Sequence, residues 1–454
     1  MKRLFQGGQT VSGKDVIKQD ILVNGDRIEA IGLDLDAHDA EVIDVTGKLL
    51  FPGFIDPHTH FDLEVSNTVT ADDYETGSLA AIAGGTTLVI DFATQNRGET
   101  LHKALDNWNK KANDKSYCDY AFHMAISEWN EEIAGEVDDM IKQGITSFKL
   151  YMTYDAMYLN DGDIYRALCK MKEVGGLVGV HCENRELIDA LVEEEKEAGH
   201  LSPDSHPRTR PKQAEAEAID RLLEIASLVD VPVMIVHLST ARGLEVIKNA
   251  RKRGQSVFVE TCPQYLLLDE SKYELRDFES AKYVISPPLR TRNDNEILWS
   301  ALGNGDISTI GTDHCSFTLK QKEAGLDDFT KIPCGMPGVE NRAALIYTYG
   351  VKAGKISENE MCSLLSENAA KLYGLYPRKG TLQPGSDADI VVWDKDAVRT
   401  LDANQQSACD YNPFEGTKVY GIAERVYLRG ELAAKNEIPI KTYKGKYISR
   451  ERGI

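Results

Sequence analysis

The segment 53-GFIDPHTH-60 begins the pattern that decides the fold of this chain. From here on, short apolar runs alternate with longer helical stretches. The runs are mostly continuous rather than alternating in polarity, which is typical of parallel strands buried on both faces. Eight such strand–helix repeats predict an α/β fold, a (β/α)8 TIM-like barrel over 53–379. The eight strand candidates are residues 53–60, 86–92, 120–126, 146–151, 177–183, 231–238, 256–261 and 307–313.

The regions flanking the barrel have a β pattern. The segment 21-ILVNGDRIEAIG-32 places an Asn-Gly-Asp hairpin signal between alternating apolar residues. Strand patterns return from about residue 380, so residues 1–52 and 380–438 are predicted to form one small β-sandwich beside the barrel. The basic tail 439–454 leaves two interpretations open: a solvated tail, or a segment that docks on a neighbouring subunit.

Charge and composition exclude several classes of partner. The chain has 454 residues, with 52 Lys and Arg against 72 Asp and Glu, a net charge of −20. This balance argues against nucleic acid or an anionic membrane as a partner. The N-terminus lacks the apolar segment of a signal peptide, and no apolar run is long enough to span a bilayer. Eight cysteines without a CxxC pair indicate free thiols in a reducing cytoplasm.

Metal-ligating side chains recur at the predicted strand ends. In a (β/α)8 barrel, the carboxyl ends of the strands gather the catalytic groups at one face. His58 and His60 lie two apart on a strand, so both rings point to the same side. Four imidazoles and one carboxylate at this face would form a ligand set for zinc or a similar divalent ion. These residues are His58, His60, His181, His237 and Asp313.

A lysine lies in the middle of the predicted strand in 146-TSFKLYMTY-154. An unpaired buried ammonium is very costly, so Lys149 either lies in water on an edge strand or is held inside by a group that needs it. The remaining histidines lack this placement. His123 is expected to be structural, and His314 is expected to orient a neighbouring loop. Four others are expected to be solvated: His38, His102, His200 and His206.

Several motifs resemble, in order, those of the dihydropyrimidinase/hydantoinase family, cyclic amidohydrolases of the amidohydrolase superfamily. The resemblance extends from about residue 50 to 345, and the flanking β regions fit the accessory sandwich of the superfamily. FKxYMxY together with ETCPQYL and GTDHC is close to diagnostic. The motifs are FPGFIDPHTH, SFKLYMTY, HCEN, IVHLS, ETCPQYLLLD, SPPLR, GTDHCSF and GMPGVENR.

The resemblance implies a binuclear metal centre. It places His58, His60 and Asp313 on one divalent ion, most commonly zinc. It places His181 and His237 on the other. Lys149 would bridge both ions as an N-carboxylated lysine formed with carbon dioxide. An ammonium cannot ligate a cation, whereas a carbamate is an anionic oxygen ligand that can span two ions about 3.5–4 Å apart.

The resemblance also implies a mechanism. A bridging hydroxide would attack a ring amide carbonyl, with Asp313 as general base and then general acid. Tyr154 would donate a hydrogen bond to the developing oxyanion. Ser286 would contact the substrate amide through its backbone. Cys334 stands where many family members have asparagine, which puts the substrate fit in question.

The substrate is less constrained than the reaction. The segment after His60 lacks the MPFGGT-like stretch common in hydantoinases. By position, four side chains would line the pocket for the exocyclic substituent of the ring: Leu63, Val65, Tyr151 and Tyr158. The expected substrates are 5,6-dihydropyrimidines or 5-substituted hydantoins, and the family implies a homotetramer.

Three alternative interpretations remain. Allantoinases share much of the site, although GTDHCSF fits the dihydropyrimidinase side better. Dihydroorotases need an arginine after the HxH pair, where this chain has Phe61 and Asp62. Some relatives have lost their ligands and act as assembly or signalling proteins, which the intact ligand set disfavours.

Overall fold

The computed structural model describes residues 1–35, 38–65, 67–442 and 444–453. The N-terminal segment is built of short strands. The Asn-Gly-Asp signal forms the predicted hairpin between β4 and β5. The strands are β1 (Lys2–Gln6), β2 (Gln9–Val11), β3 (Val16–Lys18), β4 (Asp20–Asn24), β5 (Arg27–Gly32), β6 (Glu41–Asp44) and β7 (Leu49–Pro52).

Eight parallel strands form the barrel, and the predicted (β/α)8 fold is confirmed. They pair in the order β17-β16-β15-β14-β13-β12-β11-β8, while β9 and β10 form a separate hairpin after the first barrel strand. The strands are β8 (Phe54–Thr59), β9 (Glu64–Val65), β10 (Thr68–Val69), β11 (Thr86–Thr94), β12 (Asp119–Ala125), β13 (Ser147–Tyr151), β14 (Leu177–His181), β15 (Val233–Ile235), β16 (Val257–Thr261) and β17 (Thr309–Ile310).

Helices follow the barrel strands and cover the outside of the sheet. Three of the short ones adjoin two π-helical turns, Tyr347–Lys352 and Ser363–Glu367. Among the described residues, no helix is apolar over the length needed to cross a bilayer. The α-helices are α1 (Tyr74–Ala83), α2 (Leu101–Ala112), α3 (Glu131–Lys142), α4 (Asp161–Val174), α5 (Arg185–Glu197), α6 (Ser205–Thr209), α7 (Lys212–Val229), α8 (Ala241–Lys252), α9 (Pro263–Leu267), α10 (Arg292–Gly303), α11 (Leu319–Lys322), α12 (Arg342–Ile346), α13 (Glu358–Cys362) and α14 (Asn368–Leu372).

Side-chain contacts close the seam between the last barrel strand and the first. The fully buried Arg342 guanidinium donates to the carbonyls of Ile55 on β8 and Ile310 on β17, at 2.9 and 2.8 Å. Beyond the strand ends, His60 N donates to His314 O at 2.8 Å. Because buried carbonyls must find donors, these bonds replace the ladder that two short neighbouring strands leave incomplete.

The accessory sandwich combines both ends of the chain. One sheet has the order β5-β4-β1-β6, and the other has the order β21-β20-β19-β18-β7-β2-β3. The apolar core between them includes Phe5, Ile21 and Leu50 from the N-terminal segment and Ile390 from the C-terminal one. The C-terminal strands are β18 (Ile390–Thr400), β19 (Lys418–Leu428), β20 (Glu431–Lys435) and β21 (Ile438–Pro439).

A buried ion cluster joins the sandwich to the barrel. Lys379 Nζ lies 2.7 Å from Asp119 at the start of β12, 3.0 Å from Asp387 and 2.6 Å from Asp389. The Arg429 side chain also pairs with Asp119. The ammonium occupies the centre of the three carboxylates, so charge pairing already satisfies this acidic cluster without a metal ion.

The C-terminal tail packs against the barrel of its own chain, and the interpretation of a solvated tail is wrong. Tyr447 forms a parallel bridge with Tyr120 on β12. Ile448 and Arg450 are buried, at 1% and 3% exposure. The Arg450 guanidinium donates to Ser147 Oγ on β13 at 2.8 Å and to Phe122 O on β12. The tail therefore covers these strands from within one chain.

Candidate metal centre

The barrel brings four histidines together at the carboxyl ends of β8, β14 and β15. Neighbouring ring centres lie 5.2 Å apart for His58 and His60, 5.4 Å for His58 and His237, and 4.5 Å for His181 and His237. All four side chains are buried or nearly so. The rings therefore form one continuous group, as the spacing along the sequence predicts.

Asp313 lies against the first two rings of this group. Its Oδ1 is 3.1 Å from His58 Nε2 and 3.1 Å from His60 Nε2. Its backbone has a positive φ of 53°, a conformation that Asp adopts more readily than most residues and that recurs at functional sites. Two imidazole nitrogens and one carboxylate oxygen within this distance can share a metal ion.

Buried polar atoms without partners show that the site fits metal ions. His60 Nδ1 and His237 Nδ1 are buried and make no hydrogen bond among the described residues, and buried His58 Nε2 contacts Asp313 Oδ1 at 3.1 Å without a well-directed hydrogen bond. An unsatisfied buried nitrogen costs roughly 1–3 kcal/mol. Burial lowers the pKa of His60 to about 4 and lowers the pKa values of His181 and His237, which keeps these rings neutral. Neutral imidazole is the form that ligates a metal.

Lys149 on β13 is buried, at 1% exposure, so the alternative of an edge-strand lysine in water is excluded. Its Nζ has no hydrogen bond or ion pair within the part of the chain that the structure describes. It lies 5.1 Å from the centre of the Phe92 ring and 5.2 Å from that of Tyr151. Burial lowers the pKa of Lys149 to about 8, despite the nearby Asp313 and Glu260 carboxylates. Burial of this amine therefore costs free energy that no hydrogen-bond acceptor among the described residues offsets.

Two glutamates that sequence reasoning did not assign support the histidine rings. Glu260, at the end of β16, accepts from His58 Nδ1 at 2.5 Å. Glu183, two residues after His181, accepts from His181 Nε2 at 2.7 Å. Each carboxylate fixes the tautomer of its ring and leaves the other nitrogen for a ligand. The available signal was a glutamate at the end of a predicted buried strand.

His58 has a different electrostatic environment from the other three rings. Burial disfavours its charged form, but the Glu260 and Asp313 carboxylates outweigh burial and raise the pKa of His58 to about 9. Negative charge thus concentrates on the β8 and β16 side of the group. A divalent cation placed there would relieve that charge.

Tyr154 lies beside the second pair of rings. Its ring centre is 5.1 Å from His181 and 6.1 Å from Tyr151. Ser286 and Cys334 lie close enough to influence its hydroxyl electrostatically, and burial raises the pKa of Tyr154 well above 10. The phenol therefore keeps its proton and can act as a hydrogen-bond donor. The structure thus brings together three of the predicted substrate contacts.

The other predicted pocket residues come from two separate segments. Tyr158 pairs with Tyr151 in a short bridge, which places Tyr158, on the loop after β13, beside the last residue of that strand. Leu63 and Val65 lie at the start of the β9–β10 hairpin, where Leu63 N donates to Thr70 Oγ1 at 3.0 Å. Val65 is 38% exposed. The hairpin follows β8 directly, so it lies at the same face of the barrel as the histidines.

The remaining histidines divide into structural and solvated ones. His314 Nδ1 accepts from Gly338 N and Val339 N at 3.1 and 3.2 Å, while its Nε2 lies 2.9 Å from Asp72. It therefore ties neighbouring loops together. His123 bonds Ser147 Oγ and Pro57 O inside the barrel. The prediction of a solvated His206 is wrong: this ring is 4% exposed and donates to Ile285 O at 2.7 Å.

Comparison with known proteins assigns the family. A model of the amidohydrolase family matches residues 49–433. The chain belongs to the amidohydrolase family. It is similar to the D-hydantoinase of Geobacillus stearothermophilus, with 45% identity over 100% of this chain and 97% of the relative. It is also similar to the D-hydantoinase of Streptomyces coelicolor, with 40% identity over 95% of this chain and 94% of the relative.

A solved structure has the same fold throughout. The crystal structure of dihydropyrimidinase from Brevibacillus agri NCHU1002 superposes with a TM-score of 0.99, at 42% identity and 100% coverage of both chains. The resemblance to the dihydropyrimidinase/hydantoinase family is therefore confirmed. Family membership implies a metal centre, and the cluster of His58, His60 and Asp313 is able to bind one.

Substitution of Glu260 tests its role behind His58. Glu260→Gln keeps the shape of the side chain but removes the charge that orients the His58 ring. We expect a 10–100-fold loss of affinity for divalent metal, the usual cost of losing such a supporting group. Metal titration of the metal-free protein measures this loss. Glu270→Gln, on an exposed side chain, is the control, and equal affinities for both variants would contradict the assignment.

Proposed function

We propose that this chain hydrolyses the cyclic amide bond of 5,6-dihydropyrimidines and 5-substituted hydantoins. The main evidence is that four imidazoles, the Asp313 carboxylate and the Lys149 amine meet at one end of the barrel. Among the described residues, this amine has no hydrogen bond or ion pair. Tyr154, a neutral donor, lies directly beside them. The names of the similar proteins, D-hydantoinase and dihydropyrimidinase, support the same substrate class.

The residues of the group divide between two metal ions in this proposal. His58, His60 and Asp313 would hold one ion. His181 and His237 would hold the other, with Lys149 reaching both as a carbamate. The buried Lys149 side chain supports this state, because a carbamate would replace an ammonium that has no acceptor among the described residues by an anionic oxygen ligand that two cations would hold. We propose zinc, which suits a set of imidazole and carboxylate ligands. Bound divalent ions supply Lewis acidity and lower the pKa of water at the site.

The side chains around the ions would move the proton and stabilise charge. Asp313 would accept the proton of the attacking water and deliver it to the ring nitrogen as the amide C–N bond breaks. The Tyr154 hydroxyl would donate to the oxygen of the tetrahedral intermediate. Ser286, next to this hydroxyl, would bind the ring amide through its backbone. Cys334 lies on the same side and would limit the width of the pocket.

A comparison of substrates tests the proposal. Rates are measured side by side on dihydrouracil, hydantoin, a 5-arylhydantoin and allantoin, with zinc and carbon dioxide supplied. We expect turnover of the first three and poor turnover of allantoin. Leu63, Val65, Tyr151 and Tyr158 would decide between the small and the aryl substituents. Hydrolysis of none of the four would refute the proposed function.

The assembly and compartment are part of the same proposal. We infer a homotetramer, as the family resemblance implies, and light scattering of the purified protein would measure it. The cytoplasm is supported by all eight cysteines, which are free thiols in the structure.

The phenol of Tyr154 gives a second test of the proposed chemistry. Tyr154→Phe removes one donor to the oxyanion and leaves the ring in place. We expect turnover to fall by roughly 10²–10³ with little change in bound metal, the usual cost of one such donor. Steady-state kinetics and metal analysis measure both. Tyr165→Phe, 44% exposed on α4, serves as the control, and a wild-type rate for Tyr154→Phe would make Tyr154 a packing residue.

A further inference from the structure

An arginine outside the ligand set contacts both halves of the candidate site. Arg210 follows α6 and has a side chain that is 11% exposed. Its Nη1 donates to Glu183 Oε2 at 2.7 Å, the same oxygen that accepts from His181 Nε2 at 2.7 Å. Its guanidinium carbon lies 5.4 Å from the centre of the Tyr154 ring. The Arg210 guanidinium thus contacts both Glu183, which holds the His181 ring, and Tyr154, the proposed oxyanion donor.

The backbone of Tyr154 needs such a contact. Its φ of 67° lies in the left-handed region, where a bulky side chain is strained. Strain of this kind persists only where the surroundings hold it. The Arg210 guanidinium lies within the range of an attractive cation–ring contact, about 6 Å. The ring is thereby held from one face while His181 contacts it from another.

The segment that presents Arg210 is itself anchored to the pocket walls. Arg290, 4% exposed, donates from Nη1 to Arg210 O. Four residues earlier, His206 donates to the carbonyl of Ile285, the neighbour of Ser286. These two hydrogen bonds hold the backbone of the segment that carries Arg210, so the position of its Cα is restrained.

We propose that Arg210 is a positioning residue that couples Tyr154 to the His181 side of the site through Glu183. A guanidinium is suited to this task because its planar fork can donate to a carboxylate while its face lies on an aromatic ring. A lysine offers one compact charge and cannot do both. The inference rests on the proposed function only for its kinetic test, because the contacts themselves are independent of the substrate.

A double-mutant cycle tests the coupling. Arg210→Gln, Tyr154→Phe and the double variant are compared with wild type on the best substrate of the panel. We expect Arg210→Gln to lower kcat by ~10²-fold, the cost of misplacing a reacting group. In the Tyr154→Phe background the same change is expected to cost less than about 3-fold, because its effect passes through the missing hydroxyl. If the fold-losses of kcat in the two single variants multiplied in the double variant, the proposal would be overturned.

A second measurement does not depend on turnover. Hydrogen exchange of the peptide 151–159 is expected to speed up in Arg210→Gln, since the strained turn loses its support. Arg208→Gln is the matched control, because Arg208 lies two residues away and its side-chain partners among the described residues are Glu195, Asp204 and Ser205. Unchanged exchange in a folded Arg210→Gln would also overturn the proposal.

Arg210→Lys keeps the experiment decisive if Arg210→Gln does not fold. This variant retains the charge near Glu183, and it is expected to show a smaller loss of kcat with the same non-additivity. A wild-type rate and wild-type exchange for Arg210→Lys would contradict the dual contact. Failure of the wild-type chain on every panel substrate would instead refute the proposed function, and the exchange measurement would still test the coupling.

Discussion

Lys149→Ala is expected to give a folded chain that no longer retains its metal ions. The side chain is buried, and its Nζ has no acceptor in the described part of the chain, so its removal breaks no hydrogen bond. Metal affinity should fall by at least ~10²-fold. Mutation of a residue that only supports a metal ligand already lowers metal affinity by up to that factor. Hydrolysis should fall below detection at ordinary metal concentrations.

Elemental analysis and circular dichroism measure the two effects separately. Lys142→Ala, an exposed lysine on α3, is the control for the loss of one positive charge. Acetate or propionate added to Lys149→Ala should restore part of the metal content, because a small carboxylate can occupy the space that the proposed carbamate would fill. Normal metal content and rate in the variant would show that Lys149 bridges nothing.

The meeting of the candidate ligands at one face was predictable because barrel geometry is a strong constraint. Once eight parallel strands are recognised, their carboxyl ends must meet at one face. His58 is the penultimate residue of β8 and His181 is the last residue of β14, while His237 and Asp313 follow β15 and β17. Their meeting therefore follows from topology alone, without knowledge of side-chain conformations.

The supporting residues were not predictable in the same way. Whether Glu260 reaches His58 or points away depends on side-chain conformations. It also depends on how β16 and β8, which are not paired with each other, are staggered across the barrel. Glu183 accepts from His181 and also from Arg210, which lies 27 residues later in the chain. These contacts depend on long-range packing, which a local pattern does not contain.

Long-range packing also explains the two wrong predictions. His206 lies on the polar-looking segment SHPRT, yet α6 is pressed against Ile285, where burial lowers the pKa of the ring to about 3. The tail is rich in Lys and Arg, which is typical of solvated segments. Its Arg450 instead finds carbonyl and hydroxyl acceptors on β12 and β13. A polar segment can be buried when the fold supplies hydrogen-bond partners for its polar groups.

Asp313→Asn is expected to separate proton transfer from metal binding. The amide has the shape of the carboxyl group, and Asn tolerates the positive φ of this position as well as Asp does. An amide oxygen can still face the imidazoles of His58 and His60, but it cannot accept a proton near neutral pH. Turnover should therefore fall by ~10²–10⁴, the range that a general acid–base group contributes.

Turnover per bound metal is the decisive quantity for this variant. Its metal content should fall less than its rate, because the histidines and Lys149 remain. Asp327→Asn, at an exposed carboxylate in the segment after α11, is the control. A leaving group that needs little protonation should recover part of the lost rate, since Asp313 acts on the departing ring nitrogen. If the rate instead fell only in proportion to the metal, Asp313 would be a ligand and not the proton carrier of the reaction.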